Sequence, residues 1–575
     1  MSKGPTHFSR STQFLLVALL LTAGFVFVLL RMAMIQLVQY GKWDQLATRQ
    51  HERKISLHVE RGTIYDRNGK VLAINIDVPS LYAIPDEIVD RKEMARLLSS
   101  HLPISKKELV TKLNRGKDFI WLARKIDPDR LNGIKSVGGI GTLTESMRFY
   151  PKRALFGHIL GFVGIDNEGL EGIEHKYEKR LRGEPGEVFV ALDGHGKSIY
   201  PKGFNYIPPS RGEDLHLTLD ETIQHIATRA LRHAVTRTRA KGGTAIVMGP
   251  HEGAILAMVV YPPFNPNAID QYHPSGWRNK AITDMYEPGS TFKIVTAAAA
   301  LEEKRVFPDQ MIDCEKGSYR VSGTIMHDHK PMGRVPFFDV VAHSSNIGMI
   351  KVASRLGRVQ LASYAKSFGF GSRLGIDLPG ESPGLLRETQ KWSDRSLASI
   401  AIGQEIAVTP LQMAVAASVI ANRGWLVTPY TVMNGSASPR KRVLSEKTAD
   451  AMTKMLRRVV SEGTGKRAAI AGFSVAGKTG TAQKIDSGTG QYSEKGFMSS
   501  FVGFVPADAP MLTILVMIDE PQEETFGGEV AAPAFAVIGR EALHYLRIAP
   551  AMPKAVVAQR RHALGSASPR NGVKI

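Results

Sequence analysis

The sequence Glu287-Pro288-Gly289-Ser290-Thr291-Phe292-Lys293-Ile294-Val295-Thr296 places a turn before an apolar, alanine-rich segment that continues to Leu301. Alanine is the strongest helix former, so this segment is predicted to be a buried helix. Residues three apart on a helix are neighbours, so the amine of Lys293 is expected to reach the hydroxyl of Ser290. The first N–H groups of a helix lack partners and can stabilise an oxyanion. The stretch therefore predicts a serine nucleophile with a lysine base.

A single S-x-x-K sequence is weak evidence, because such short motifs arise by chance. The chain has another at Ser438 to Lys441, in a basic stretch that contains a proline and is not followed by a helical pattern. The S-x-x-K sequence at Ser290 is stronger evidence, because an apolar helical pattern follows it. Burial and a second lysine nearby are expected to lower the pKa of Lys293, so that its amine becomes a usable base.

A second motif, Ser344-Ser345-Asn346, is predicted to lie in a loop that enters the apolar helix Ile347 to Leu356. The hydroxyl of Ser344 is suited to relaying a proton, and the amide of Asn346 to binding a substrate peptide bond. The alternative is a simple helix N-cap, which Ser and Asn commonly supply. The adjacent His343 has no evident acidic partner and is interpreted as structural.

The third motif, Lys478-Thr479-Gly480, overlaps a sequence that also matches a nucleotide-binding P-loop, Gly472 to Thr479. A P-loop requires a strand before its first glycine and a helix that begins at the Lys-Thr pair. Here Gly480 and Thr481 follow, which suit an extended strand better than a helix. Phe473 to Lys484 is therefore predicted to be an edge strand that presents Lys478 and Thr479 to a groove.

The order S-x-x-K, S-x-N, K-T-G is that of the penicillin-recognising serine acyl-transferases. The chain resembles a class B penicillin-binding protein, a monofunctional peptidoglycan D,D-transpeptidase, and most resembles the division-specific septal type. The resemblance extends from the membrane segment to about residue 548. Five further stretches carry it: Arg61 to Gly69, Arg148 to Pro151, Gly169 to Glu174, Ala401 to Gln404 and Gly527 to Pro533.

The resemblance implies a serine-type D-Ala-D-Ala transpeptidase that works through an acyl-enzyme, without a cofactor. It implies an oxyanion hole made by the N–H groups of Ser290 and Thr481. The implied catalytic residues are Ser290, Lys293, Ser344, Asn346 and Lys478. The implied substrate-binding residues are Thr479, Gly480 and Thr481.

The same resemblance implies the partners of the chain. Stem peptides of lipid-linked or nascent peptidoglycan are the expected substrates, and β-lactam antibiotics the expected inhibitors. No glycosyltransferase domain is apparent, so a polytopic septal glycosyltransferase and other division proteins are expected as partners. They are expected to contact the membrane anchor, residues 14–38, and the non-catalytic pedestal, residues 39–210. An elongation-type or spore-type transpeptidase, a β-lactamase or β-lactam sensor, and a non-enzymatic division scaffold are the alternatives.

One apolar run, Phe14 to Val38 interrupted by Arg31, is long enough to cross a membrane once. It is long for a signal peptide and no small-x-small site follows, so a retained anchor in the cytoplasmic membrane is expected. More basic residues follow the run than precede it, which by charge alone predicts the opposite orientation. Long domains translocate largely regardless of charge. The resemblance places the N-terminus in the cytoplasm and the catalytic domain outside.

The predicted organisation has five parts. They are a cytoplasmic tail at 1–13, the anchor at 14–38, a non-catalytic pedestal at 39–210, a transpeptidase domain at 214–548 and a disordered tail at 549–575. Gly243 to Met248 and Ala254 to Val259 flank a turn and predict a hairpin. With three later strand patterns and the helices of the first two motifs, this predicts an α+β fold with a largely antiparallel sheet.

The formal charge of +20 first suggests a nucleic-acid partner. The 74 Lys and Arg residues are nevertheless scattered, without aromatic residues interleaved among them, so no nucleic-acid partner is expected. The 17 histidines do not fall into a ligand-spaced cluster, so no metal site is expected. The single cysteine, Cys314, excludes a disulfide within the chain.

Overall fold

The computed structural model describes residues 10–43, 52–57, 59–115, 119–131, 138–192, 198–199, 206–433, 439–486 and 488–550. Most of the two predicted tails, residues 1–9 and 551–575, therefore lies outside the described residues. The contacts divide the chain into two units, one of residues 1–60 with 183–212 and one of residues 61–182 with 213–575. The predicted pedestal, 39–210, is thus shared between the units, and the predicted domain boundaries stay a prediction.

The helices are numbered in chain order. They are α1 (Arg10–Ala33), α2 (Arg91–His101), α3 (Lys106–Arg115), α4 (Gly157–Leu160), α5 (Gly172–Lys176), α6 (Glu178–Leu181), α7 (Glu221–Arg237), α8 (Lys280–Thr283), α9 (Lys293–Glu302), α10 (Phe337–Ala342), α11 (Asn346–Leu356), α12 (Arg358–Ser367), α13 (Ser396–Ala401), α14 (Pro410–Ala421), α15 (Glu446–Ser461), α16 (Gly527–Val530) and α17 (Ala532–Tyr545).

The strands are numbered in the same way. They are β1 (Glu52–Leu57), β2 (Ile64–Tyr65), β3 (Val71–Ala83), β4 (Ile120–Ala123), β5 (Ile140–Phe149), β6 (Gly186–Leu192), β7 (Ser198–Ile199), β8 (Tyr206–Ile207), β9 (Leu215–His216), β10 (Gly242–Met248), β11 (Ile255–Tyr261), β12 (Met311–Asp313), β13 (Ser318–Val321), β14 (Thr324–His327), β15 (Arg334–Pro336), β16 (Trp425–Val427), β17 (Arg440–Arg442), β18 (Ala476–Ile485), β19 (Tyr492–Val505) and β20 (Leu512–Asp519).

The first unit contains the apolar helix and a small sheet. Helix α1 continues as a π-helical turn, Met34–Val38, so that one helical segment of 29 residues is long and apolar enough to cross a membrane. Its start at Arg10 lies before the predicted start of the anchor. Strand β6 pairs antiparallel with β1, β7 and β8.

The second unit is built on a five-stranded antiparallel sheet in the order β11-β10-β20-β19-β18. Helices α7 and α17 pack on one face, where Leu231 and Phe535 belong to the same buried cluster as Ile514. Helix α14 packs on the other face and is buried along its whole length. The α+β prediction is confirmed, and β18 is an edge strand, as predicted.

A buried ion cluster connects segments that are far apart in the sequence of the second unit. The guanidinium of Arg61 donates from Nε to Glu174 at 2.7 Å, and that of Arg148 donates to the same carboxylate at 2.6 Å. All three side chains are almost fully buried. Nearby, the carboxylate of Asp66 accepts from the N–H groups of Asn68 and Lys70. The Arg61 to Gly69 stretch therefore has a structural role, with a buried ion pair at Arg61 and a turn at Asp66 to Gly69.

Candidate active site

Ser290 lies in a 3₁₀ turn, Gly289–Phe292, that leads directly into α9. Gly289 has a positive φ of 52° and donates from its N–H to the carbonyl oxygen of Gly403 at 3.0 Å. Thr291 Oγ1 closes the turn by donating to Pro288 O at 2.7 Å. A Cβ at Gly403 would overlap the carbonyl of Gly289, so the Ala401 to Gln404 stretch supports the serine turn at close contact.

The amine of Lys293 is fully buried at the start of α9. It donates to Ser344 O at 2.7 Å, to Asn346 Oδ1 at 2.7 Å and to Ser344 Oγ at 3.2 Å. Burial lowers the pKa of Lys293 to about 7, against the opposing influence of the Asp328 carboxylate. The amine does not hydrogen-bond Ser290 Oγ within the part of the chain that the structure describes, so the contact expected from the i, i+3 spacing is replaced by contacts to the second motif.

The amine of Lys478, on β18, approaches the same hydroxyl. It donates to Ser344 Oγ at 2.8 Å and to Thr479 O at 3.3 Å, and it is fully buried. Burial lowers the pKa of Lys478 well below its ordinary value, and the neighbouring Lys293 lowers it further. Ser344 Oγ therefore bridges two amines that burial drives toward the neutral form.

The three residues of the second motif, Ser344 to Asn346, make different contacts. Ser345 is the N-cap of α11, and its Oγ accepts from the N–H of Gly348 at 2.9 Å. A helix N-cap was the alternative interpretation of this motif, and its middle residue, Ser345, provides that cap. Ser344 has a positive φ of 62°, which turns the loop so that both Ser344 and Asn346 contact the amine of Lys293.

The third motif lies against the serine turn. A Cβ on Gly480 would meet Ser500 Oγ at 2.5 Å and Thr291 Cγ2 at 2.8 Å, so glycine is required where β18 and the turn touch. Thr479 Oγ1 shares a hydrogen bond of 2.8 Å with Thr464 Oγ1. Thr481 Oγ1 accepts from the N–H of Gly527 at 3.1 Å. The strand also excludes the P-loop alternative, which needs a helix at Lys478.

Two acidic residues near the site were not predicted from the sequence. Asp328, after β14, accepts from Ser345 Oγ and from the backbone of α11. Glu287 accepts from the N–H of Glu405 at 2.8 Å and from the hydroxyl of Tyr492, and burial raises the pKa of Glu287. Neither contact follows from a local pattern, because in each case the partner lies on a distant segment.

The assembled groups suit acyl transfer. A serine at the start of a helix lies on the same segment as a lysine whose pKa is near neutrality, and a second hydroxyl connects that lysine to another. Among the described residues, no three His, Cys, Asp or Glu side chains lie together as the ligands of a metal ion would.

Comparisons with known proteins agree with this geometry. The family described as penicillin binding protein transpeptidase domain matches residues 243–539, and the penicillin-binding protein dimerisation domain matches residues 56–217. Stage V sporulation protein D of Bacillus subtilis is 37% identical over 560 residues, which are 93% of this chain and 86% of that protein. Peptidoglycan D,D-transpeptidase FtsI of Escherichia coli K12 is 31% identical over 553 residues, 94% of this chain and 93% of that protein.

A solved structure is also similar. Penicillin binding protein 3 from Mycobacterium tuberculosis, complexed with aztreonam, has a TM-score of 0.68 and 27% identity to this chain. The match covers 87% of this chain and 98% of that one. The similarity therefore extends over both family regions and is not confined to the three motifs.

Proposed function

The chain belongs to the class B penicillin-binding proteins and is a peptidoglycan D,D-transpeptidase, and we propose that it cross-links the stem peptides of septal wall during cell division. One observation carries the catalytic proposal: the buried amines of Lys293 and Lys478 converge on Ser344 Oγ, and Lys293 directly follows the turn that contains Ser290. This arrangement provides a proton path between a nucleophile and a leaving group.

In the first step, Ser290 Oγ attacks the carbonyl carbon between the two terminal D-alanines of a stem pentapeptide. Lys293 takes the hydroxyl proton as general base. The N–H groups of Ser290 and Thr481 stabilise the oxyanion. The C–N bond then breaks, the proton passes through Ser344 Oγ to the leaving amine, and D-alanine departs from the acyl-enzyme.

In the second step, the amine of a neighbouring stem peptide attacks the acyl carbon. Its proton returns by the same path, the bond to Ser290 Oγ breaks, and a new peptide bond forms the cross-link. The terminal carboxylate of the donor stem peptide is held by Lys478, Thr479 and Thr481, next to Gly480. Asn346 binds a peptide amide of the donor. β-Lactams mimic the donor and leave a slowly hydrolysed acyl group on Ser290.

Intact mass of the full-length protein after incubation with a penicillin tests the nucleophile. The wild type is expected to gain the mass of one penicillin, and Ser290→Ala to gain none. Ser438→Ala, in the other S-x-x-K sequence, is the matched control and is expected to gain the full adduct. Rapid hydrolysis of penicillin without an adduct would favour a β-lactamase, and an adduct on Ser290→Ala would refute the assignment.

Product analysis tests the acceptor. Lipid-linked substrate, polymerised by a separate glycosyltransferase, is expected to yield cross-linked dimers in the presence of the wild type. Release of tetrapeptide by hydrolysis alone would make the enzyme a carboxypeptidase. Absence of any cross-linking by the folded wild type would favour a scaffold role, and unchanged cross-linking by Ser290→Ala would refute Ser290 as the nucleophile.

The septal assignment is supported by the similarity to FtsI of Escherichia coli over most of both chains. The higher identity to a stage V sporulation protein keeps a spore-type role as the second candidate. In the septal role, the anchor and the pedestal contact a polytopic glycosyltransferase and other division proteins. Depletion in growing cells is expected to give filaments that lack septa. Rounded cells would favour an elongation role, and a defect confined to spores would favour the sporulation role.

A further inference from the structure

Asp328 occupies a place that none of the three motifs accounts for. It follows β14 directly, and its carboxylate meets the start of α11. Oδ2 accepts from Ser345 Oγ at 2.6 Å, while Oδ1 accepts from the backbone N–H groups of Asn346 at 2.5 Å and Ile347 at 3.0 Å. One carboxylate therefore satisfies three donors at a helix N-terminus, where a negative charge is stabilised.

These bonds fix the orientation of the second motif. Asn346 is held twice, because its N–H donates to Asp328 and its Nδ2 donates to His327 O at 2.9 Å. Its remaining amide oxygen is thereby directed to the amine of Lys293. Ser345 is held by the same carboxylate, so the left-handed turn at Ser344, the preceding residue, is constrained from its C-terminal side.

The negative charge of Asp328 also acts on the amine of Lys293. Among the described residues, the charged group that influences the Lys293 amine is the carboxylate of Asp328, after β14, and Lys293 in turn lowers the pKa of Lys478, on β18. Ser344 and Asn346, the other groups in contact with the amine, carry no charge. Asp328 favours the protonated form of Lys293, whereas burial opposes it.

We propose that Asp328 is a positioning residue of the transpeptidase reaction, which holds Ser344 and Asn346 against Lys293 and places a negative charge near the amine of Lys293. The inference rests on the proposed function, because it acts through the residues assigned to proton transfer. Asp328 itself touches neither the nucleophile nor, in this proposal, the substrate.

The rate of acylation by a fluorescent penicillin, measured from pH 5 to 9 on the full-length protein in detergent, tests the proposal. Asp328→Asn keeps the size of the side chain and removes its charge. Ser345→Ala removes one hydrogen bond to Asp328, together with the cap to the N–H of Gly348, and keeps the charge. Asp309→Asn removes the same charge from an exposed position and is the matched control. Thermal melting of each variant reports whether it folds.

Asp328→Asn is expected to lower the plateau rate by about tenfold to a hundredfold, because the reacting groups lose their alignment. It is also expected to move the midpoint of the pH profile to lower pH by up to about one unit, because an attractive charge near Lys293 is lost. Ser345→Ala is expected to lower the plateau and keep the midpoint. Asp309→Asn is expected to change neither.

A merely structural role would lower the plateau of Asp328→Asn without moving the midpoint, and that result overturns the proposal. A wild-type plateau for Ser345→Ala overturns the positioning role, even if Asp328→Asn does not fold. If the wild type itself forms no adduct, the proposed function fails, and the inference fails with it. The wild-type profile therefore separates the two failures.

Discussion

At the scale of the residue, Ser344 combines a strained backbone with the central hydroxyl of the site. A non-glycine residue with a φ of 62° costs roughly 1 kcal/mol relative to glycine. The hydroxyl accepts from both buried lysines, which glycine could not provide. In the proposed mechanism, the strain at Ser344 therefore serves the proton path and lowers the stability of the fold.

A pair of variants separates these two properties. Ser344→Ala removes the hydroxyl and keeps the strain, and Ser344→Gly removes both. Both are expected to acylate at least about a hundredfold more slowly than the wild type, because a proton-relay group is lost. The glycine variant is expected to be more stable than the alanine variant by about 1 kcal/mol. Thermal melting and acylation rates check this, and equal stability of the two variants would contradict the strain argument.

The pH dependence of the wild type follows from Lys293. Its pKa, lowered to about 7 by burial, leaves the amine neutral above that pH and protonated below it. Only the neutral amine can accept the proton of Ser290. Acylation is therefore expected to be about tenfold slower at pH 6 than on the plateau above pH 8. A rate that stays constant from pH 5 to 8, with the protein still folded, would exclude Lys293 as the base.

The three motifs can be read from the sequence, but not all of the contacts that their side chains make could be predicted from it. The alanine-rich pattern correctly predicted the helix after Ser290, yet the contact predicted from the i, i+3 spacing is not made, because the Lys293 amine donates to Ser344 and Asn346. A lysine has three donors, and burial requires acceptors for them, which the second motif supplies. Asp328 could not be predicted, because an isolated aspartate between two histidines has no local pattern and its partners lie on another element.

At the scale of the element, the β18 strand shows how context outweighs a motif. The letters from Gly472 to Thr479 fit a P-loop, but the residues that follow form a strand at the edge of the sheet. Gly480 is required there by close packing against Ser500 and Thr291. The strand could be predicted from Gly480 and Thr481. Its packing against the serine turn could not, because that depends on the tertiary fold.

The serine turn depends on a second glycine outside the motifs. Gly403 has a positive φ of 83°, and a Cβ there would overlap the backbone of Gly289. Gly403→Ala is expected to lower stability by about 2–4 kcal/mol and to slow acylation, because the turn that carries Ser290 must shift. Thermal melting and penicillin acylation measure the two effects.

Gly333→Ala is the matched control for this prediction. No atom lies within 4 Å of a Cβ at Gly333, and its φ is not in the left-handed region. Its stability and acylation rate are expected to stay close to those of the wild type. If Gly403→Ala also behaved like the wild type, the contact between the two glycines would not support the turn.

At the scale of the whole molecule, the sequence predicted an apolar segment followed by a large α+β region. It did not predict that residues 61–182 form one unit with the region after residue 213. That unit includes the buried cluster of Arg61, Arg148 and Glu174, whose members are far apart in the sequence. A single sequence does not show which distant charges pair, so the boundary at about 210 followed composition rather than contacts.

The orientation in the membrane is the last property to test. The native Cys314 is buried, so a cysteine introduced at an exposed site can be labelled selectively. Glu494→Cys, at an exposed position of β19, is expected to react with a membrane-impermeant maleimide in intact spheroplasts. Lys3→Cys is expected to react only after lysis. The unsubstituted chain is the control and is expected to remain unlabelled in both conditions.

This experiment decides between two arguments that disagree. The charge count around the apolar helix, with Lys3 and Arg10 before it and more basic residues after it, predicts that the large domain stays inside. The substrate of a transpeptidase lies outside the cytoplasm, which requires the domain to be exported. Long domains cross largely regardless of flanking charge, so the second argument should prevail. Labelling of Lys3→Cys in intact spheroplasts, with Glu494→Cys protected, would separate the enzyme from its wall substrate and overturn the proposed function.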